Sequence, residues 1–554
     1  MKKFLLVLSL VSLATFTVWG QPVPVPEGLK DMPEEVKNSV PSEFKWVLNL
    51  FDWLNSKINT LHGFDGEVII TPKGDGNFIV RITGDGIQGA NEIVIVRYLG
   101  SDKSSGVAVP NQLGYQAPNK AVGPDHPDYQ GLPKYTVVGI DYAAFADLQL
   151  TGVTFQTTQL RFIGEGAFAN NRLASINIPS TVTDLRSSAF SGNQLTSVRV
   201  PTSISTLNYG VFSDNKLTSV DLGTITSIGR NALANNQLKS VTIPETVTTI
   251  EARAFSNNLL TKINENNNIT QGVVSIGKYA FAENQLPGII IPDSVQKIED
   301  GAFYANKLTD VTIGNGVTEI GYKAFSGDKF QNPDGSYRTG NTVKKLILGS
   351  SIQTIGTSAF DNNEELAEVT LPDSLTIIGN SAFAGDYLSD IVIPNSVRDI
   401  GARAFEKNNL TRATIGTSVQ KIGASAFAGT DQGANGQKNQ LPSIVIPSKV
   451  QSIEDSAFAN NLLVNVAIPD SVETIGSNTF AHNRITTVSL GTGVTTIGNS
   501  AFQDNKLTQV VLGTKVMRIG SQAFATNNIT SVTVPSFISD AGSAFDATTV
   551  IVLY

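Results

Sequence analysis

The dipeptide Ala-Phe returns at a nearly fixed interval along most of this chain, and that regularity constrains the fold more than any other feature. It stands at Ala167-Phe168, Ala189-Phe190, Ala254-Phe255, Ala280-Phe281, Ala302-Phe303 and Ala324-Phe325, and continues toward the C-terminus. The steps from Phe168 to Phe190, from Phe281 to Phe303 and from Phe502 to Phe524 are each 22 residues. With Leu233 as a substitute, 18 such anchors run from Phe145 to Phe545. A single compact core stops growing near about 250 to 300 residues, and this chain has 554. An array of equal units escapes that limit, because its core lengthens along one axis.

One unit, from Phe281 to Phe303, shows what repeats. Leu286 follows the aromatic anchor, Ile289 and Ile291 alternate as in a short strand, and Pro292 ends it. Val295, Ile298, Ala302 and Phe303 then give a second apolar edge at three- and four-residue spacing, which predicts a short 3₁₀-like or irregular return. Each unit has an apolar side that it cannot bury alone. Stacked at about 4.8 Å, 18 coils make a rod on the order of 85 Å long, with Phe168, Phe303 and Phe502 among its spine positions.

Three residues past the anchor, 13 of the 18 turns carry asparagine: Asn171, Asn193, Asn215, Asn236, Asn258, Asn284, Asn306, Asn363, Asn408, Asn461, Asn483, Asn505 and Asn527. An amide both donates and accepts, so an inward asparagine can satisfy turn N–H and C=O groups of its own and the neighbouring coil. Asp328 and Asp386 depart from the column. A calcium ladder is the competing reading, but hard cations want carboxylates and neutral amides dominate here.

The unit L-x-x-V-x-I-P-x-S-V-x-x-I-x-x-x-A-F-x-x-N, seen from Leu286 to Asn306 and from Leu463 to Asn483, resembles the BspA-like, spirochaete-type class of leucine-rich repeat. The resemblance covers the chain from Phe145 onward. It implies a right-handed leucine-rich-repeat solenoid, mainly β, on a secreted or cell-surface bacterial protein. Members of that class act as adhesins for host matrix proteins or for other bacteria, so the partners it implies are proteins.

Composition narrows the chemistry. There is no cysteine and there are only three histidines, His62, His126 and His482, which removes thiolate nucleophiles and zinc fingers and leaves little for a histidine-dependent triad. His126 and His482 lack a nucleophile and an orienting partner in the sequence around them, and the glycine-rich run at residues 83–89 precedes a strand rather than a helix. No cofactor, metal or catalytic set is read. A formal net charge of −8 offers no basic field for nucleic acid.

Lys2 and Lys3, the apolar run at residues 4–18 and Val18-Trp19-Gly20 read as an export signal cleaved after Gly20. The run is shorter than the roughly 20 residues of a membrane span, so no integral span is expected after signal removal. Residues 42–61 place Val47, Leu50, Phe51, Leu54, Ile58 and Leu61 on one helical face. A hairpin and a further strand follow at residues 68–98. The expected organisation is a signal at 1–20, a small α+β cap domain at 21–99, a Gly/Pro-rich linker or degenerate coil at 100–134, and the solenoid at 135–554. A separate binding or enzymatic role for the N-terminal unit is the alternative to capping. Residues 550–554 read as a last strand closing the other end.

Outward strand positions are small and neutral, from Asn177 and Arg199 to Thr533, and only Arg199 resembles an interface anchor. The breaks in period carry more information, because an array accepts insertions only in loops. The gap from Phe325 to Phe360 is 35 residues, with residues 326–341 as an excursion; the gap from Phe427 to Phe458 is 31, with residues 428–440 as another. The first contains Lys329, Phe330, Tyr337 and Arg338, which are contact-capable side chains. The expected function is an exported, adhesin-like, protein-binding solenoid, with a purely architectural envelope component as the alternative.

Overall fold

The computed structural model describes residues 68–70, 78–82, 92–98, 106–116, 120–122, 134–331, 337–338, 340–429, 438–538 and 541–553. The expected signal, the helix at 42–61 and the glycine-rich run at 83–89 lie outside the described residues, as do His62 and His126.

Strands β1 (Val68–Ile70), β2 (Phe78–Ile82) and β3 (Glu92–Tyr98) form an antiparallel set, with Ile69 opposite Val80 and Ile82 opposite Ile93. Strand β4 (Val107–Val109) is followed by β5 (Gln112–Gln116), β6 (Lys120–Val122), β7 (Lys134–Ile140), β8 (Val153–Phe155) and β9 (Phe162–Ile163). Here the pairing changes character: β3 is parallel to β7, and β7 is parallel to β9. Strand β4 stacks in parallel on β8, as successive coils of an array do. The N-terminal sheet therefore runs directly into the solenoid, and Phe78 and Tyr98 pack within 6.2 Å and 5.5 Å of the first anchor, Phe145.

From Phe145 onward the chain is a β-solenoid of about 18 turns with a period of about 22. The expected strand appears at Gly288–Ile291, parallel to Asp310–Ile313 with Ile289 opposite Val311, and Ile289 and Ile291 are buried. The return is irregular with single turns, as expected, and carries one element more. It holds a two-residue strand, Lys297–Ile298 in this unit, and these short strands form one 14-stranded parallel sheet from Thr206–Leu207 to Arg518–Ile519. The return hydrogen-bonds both between coils, through these strands, and along itself in single turns on either side of them, Val295 N–H donating to the Pro292 carbonyl and Ala302 N–H to the Glu299 carbonyl, both at 3.2 Å, which together satisfy its backbone. Among the described residues there is no α-helix, and a single 3₁₀ turn spans Ala541–Ala544. Strand Val550–Leu553 pairs in parallel with Ser531–Val534 at the far end.

The phenylalanines stack face to face, with ring centroids 4.9 Å apart at Phe145/Phe168 and 5.9 Å at Phe190/Phe212. Phe281 and Phe303 lie 5.4 Å apart with planes 6° from parallel. Leu233 is also fully buried, so the spine continues there without a ring. Two tight bends flank each anchor. The residues two before and two after it sit in the left-handed region in most coils, as Gly301 (φ 61°) and Ala305 (φ 57°) do around Phe303. Arg253, Tyr279 and Lys323 accept the same left-handed backbone with side chains attached, at a cost of roughly 1 kcal/mol each.

Candidate partner-contact site

The site rests on the corner beneath the longer insertion, and the corner is built from asparagine. Asn306 donates through Nδ2 to the Phe281 carbonyl (2.9 Å) and the Phe303 carbonyl (3.1 Å), and its Oδ1 accepts the Leu286 N–H at 3.1 Å. One buried side chain thus serves three backbone groups on two coils. Asn171, Asn193, Asn215, Asn284, Asn461, Asn483 and Asn505 repeat the pattern, with Nδ2 reaching the preceding anchor's carbonyl at 2.7 to 3.0 Å.

Two members of this column were hidden inside the insertions. Asn341 donates to the carbonyls of Phe303 and Ser326, both at 3.1 Å, and accepts the Leu308 N–H at 3.1 Å. Asn439 does the same for Phe405 (2.8 Å), Ala428 (3.2 Å) and Leu410 (3.1 Å). Counting forward from Phe325 assigns the corner to Asp328, and the structure corrects this: Asp328 lies outside the ladder, in an ion pair with Lys323 and accepting Asn362 Nδ2 at 2.6 Å. The sequence does carry the signal, since Asn341 and Asn439 each stand two residues before an inward Val343 or Leu441, as Asn306 stands before Leu308. Asp386 is a true departure and occupies the ladder itself.

Both insertions leave the coil at a glycine two residues past the anchor. A Cβ on Gly327 would meet the Asn362 carbonyl oxygen at 2.1 Å, and one on Gly429 would meet that of Asn460 at 2.2 Å. From Gly327 the first insertion rises as a two-stranded antiparallel hairpin, Phe330–Gln331 with Tyr337–Arg338, in which Phe330 faces Arg338 and Gln331 faces Tyr337. Lys329 is exposed at its foot, 4.0 Å from Glu364. Four of the five proposed contact residues are thereby brought together. Arg199 is not: it sits several coils earlier, exposed on strand Ser197–Arg199, paired with Asp221 at 3.3 Å.

Around the hairpin foot, Lys323 reaches the rings of Tyr304 (5.9 Å) and Tyr322 (5.6 Å). Burial works against its charge, but the Asp328 carboxylate outweighs burial and holds the ammonium above its usual range. Lys344 pairs with Glu365 at 2.5 Å on the next coil. Burial pushes the Asp361 carboxyl up to about 6, with hydrogen bonds from Ser326 and Ser358 opposing. The arrangement mixes aromatic faces with charges of both signs, which is chemistry suited to contact. Among the described residues no group of three or more His, Cys, Asp and Glu is placed to hold a metal ion, and no helix is long and apolar enough to cross a membrane.

Comparison with known proteins follows the same repeats. Residues 138–262, 260–334, 333–435 and 435–549 match the family described as BspA type Leucine rich repeat region (6 copies). No curated protein matches the chain. Among solved structures, a leucine-rich repeat protein from Bacteroides ovatus is 19% identical, with a TM-score of 0.42 over 87% of this chain and 99% of that one. A leucine rich cell surface protein from Faecalibacterium prausnitzii is 18% identical, with a TM-score of 0.30 over 87% and 94%. The pneumococcal vaccine antigen PcpA is 14% identical, with a TM-score of 0.36 over 89% and 100%. The family match spans most of the chain and coincides with the coils seen in the structure, and the chain belongs to the BspA-type leucine-rich repeat family.

Proposed function

We propose that this chain is an exported bacterial leucine-rich repeat protein that binds other proteins at the cell surface, adhesin-like, and that the hairpin in residues 328–340 makes the contact. The observation that carries the reading is the hairpin. It leaves the array through a glycine, and its backbone register pairs Phe330 with Arg338 and Gln331 with Tyr337, next in sequence to Lys329. Aromatic residues and arginine are the side chains in which interface energy concentrates. The outward strand column supports the same assignment by contrast, since its exposed members, such as Val392 and Val445, stand singly among threonines and offer no aromatic anchor. Export rests on the leader-like residues 1–20, and a binding rather than catalytic role rests on the family and the sparse nucleophile and base inventory.

The test is a deletion that the structure makes clean. Removing residues 328–340 joins Gly327 to Asn341 and leaves F-S-G-N-T-V, a regular corner in a coil shortened from 35 to 22 residues. Wild type and deletion are compared for saturable binding to immobilised matrix proteins and to whole bacterial cells. Binding that disappears with the hairpin supports the reading. Binding that is unchanged places the contact elsewhere, and no saturable binding by the wild type favours the architectural alternative.

A further inference from the structure

We propose that the coil between Phe360 and Phe383 is a proton-operated joint beneath the hairpin, tight when Asp386 carries a proton and loose when it does not. The argument starts from what a ladder position must supply. The ladder asparagines donate to the anchor carbonyl of the preceding coil and to a further carbonyl at their own corner, and accept a backbone N–H, as Asn306 does from Leu286; at Asn341 and Asn439 the own-corner carbonyl is that of Ser326 or Ala428 rather than the anchor's. An ionised aspartate accepts only. Asp386 is wholly buried; its Oδ1 accepts the Asn363 N–H at 2.8 Å and its Oδ2 has no partner. A proton on Oδ2 turns that atom into the donor the column otherwise has at this place.

The coil is irregular in a second way. It is 23 residues long, and where Leu388 of the next coil donates its N–H to the Asn408 side chain, Leu366 donates to the Asn363 carbonyl at 2.9 Å, leaving Asp386 to accept from the Asn363 N–H. Asp361, in the same coil, is also buried with one oxygen unpartnered. This segment carries the hairpin foot. Gly327 N–H donates to the Asp361 carbonyl at 2.7 Å, Asn362 holds Asp328, and the Val343 N–H donates to Asn363 Oδ1 at 2.9 Å.

The charged groups around the joint are largely paired. From the preceding coils come Lys323, Asp328, Lys329, Lys344 and the phenol of Tyr304; from the coil itself, Asp361, Glu364 beside Lys329 and Glu365 beside Lys344; from the following coil, Glu406, paired with Arg403 at 3.8 Å. Lys323 is committed to Asp328, Lys344 to Glu365 and Arg403 to Glu406, and among the described residues no cation pairs with Asp386. Burial pushes the Asp386 carboxyl well above its ordinary range, the Asn363 N–H opposes this and Asp361 adds to it. A folded-state pKa raised above the unfolded value means that stability is fully present in acid and falls as pH rises toward the folded value. The joint therefore tightens in acid and loosens toward neutral pH, while the asparagine coils on either side do not respond. Its consequence for partner binding rests on the hairpin reading, but the joint itself is measured without any partner.

The experiment is hydrogen exchange of the whole chain by mass spectrometry between pH 5 and pH 8, corrected for intrinsic exchange. Peptides covering residues 360–388 are compared with a regular coil at residues 463–485. The expected result is protection in 360–388 that falls by up to about tenfold per pH unit relative to the control. The variant Asp386→Asn restores the column's usual residue and is expected to remove most of that fall, and Asp361→Asn a smaller part. Parallel protection in both regions of the wild type, or an unchanged pH response in Asp386→Asn, overturns the proposal.

Discussion

Replacing Asn306 isolates what the corner amide does. Asn306→Leu keeps the volume close and removes the donor pair and the acceptor together. It strands the carbonyls of Phe281 and Phe303 and the N–H of Leu286, all in a dry corner where Asn306 itself is buried. A buried polar group left without its partner costs about 1 to 3 kcal/mol, and partial relaxation of neighbours reduces the sum, so a loss of about 3 to 5 kcal/mol is expected. Asn306→Asp separates the two functions. The carboxylate keeps the Leu286 bond and loses both donors, and its folded pKa rises by burial as at Asp386. Near pH 4 the variant should approach wild type, because the protonated acid donates once; at pH 7 it should lose at least as much as the leucine variant. Urea unfolding followed by far-UV circular dichroism at both pH values reads this, with the slope checked because arrays need not unfold in one step. A leucine variant within about 0.5 kcal/mol of wild type, or an aspartate variant insensitive to pH, refutes the ladder as a source of stability.

Two further expectations follow from the packing. Phe303→Ala opens a cavity between rings at 5.4 Å and 5.3 Å on either side and should cost about 3 to 5 kcal/mol in the same urea assay. Gly327→Ala drives a Cβ to 2.1 Å from the Asn362 carbonyl and should cost about 1 to 3 kcal/mol by displacing the hairpin foot, seen as a lower urea midpoint. A neutral outcome for Gly327→Ala would mean that the insertion does not leave the coil there.

The columns that bury apolar surface were legible because they repeat. Phe281, Leu286, Ile289, Ile291, Val295 and Ile298 recur in register, and repetition averages out the ambiguity of any one short segment. The return strands were not legible, since two residues such as Lys297–Ile298 cannot show an alternation. The left-handed bends at Arg253, Tyr279 and Lys323 were invisible for a related reason: these side chains carry no propensity for that backbone, and the stack imposes it. At the site, residue content was readable and placement was not. Phe330 opposite Arg338 follows from a pairing that a short insertion does not announce, and Asn341 was masked by counting from the wrong end.

The most direct test of a regular array with two separable excursions is the double deletion of residues 328–340 and 430–438. Each cut joins a glycine two past the anchor to the ladder asparagine, and leaves 22 residues between Phe325 and Phe360 and between Phe427 and Phe458. If the phasing is right, the shortened protein keeps the far-UV spectrum and unfolds in urea at a midpoint equal to or above that of the parent. Loss of folded signal, or a markedly lower midpoint, would contradict the assignment of Asn341 and Asn439 to the ladder and with it the register of the whole solenoid.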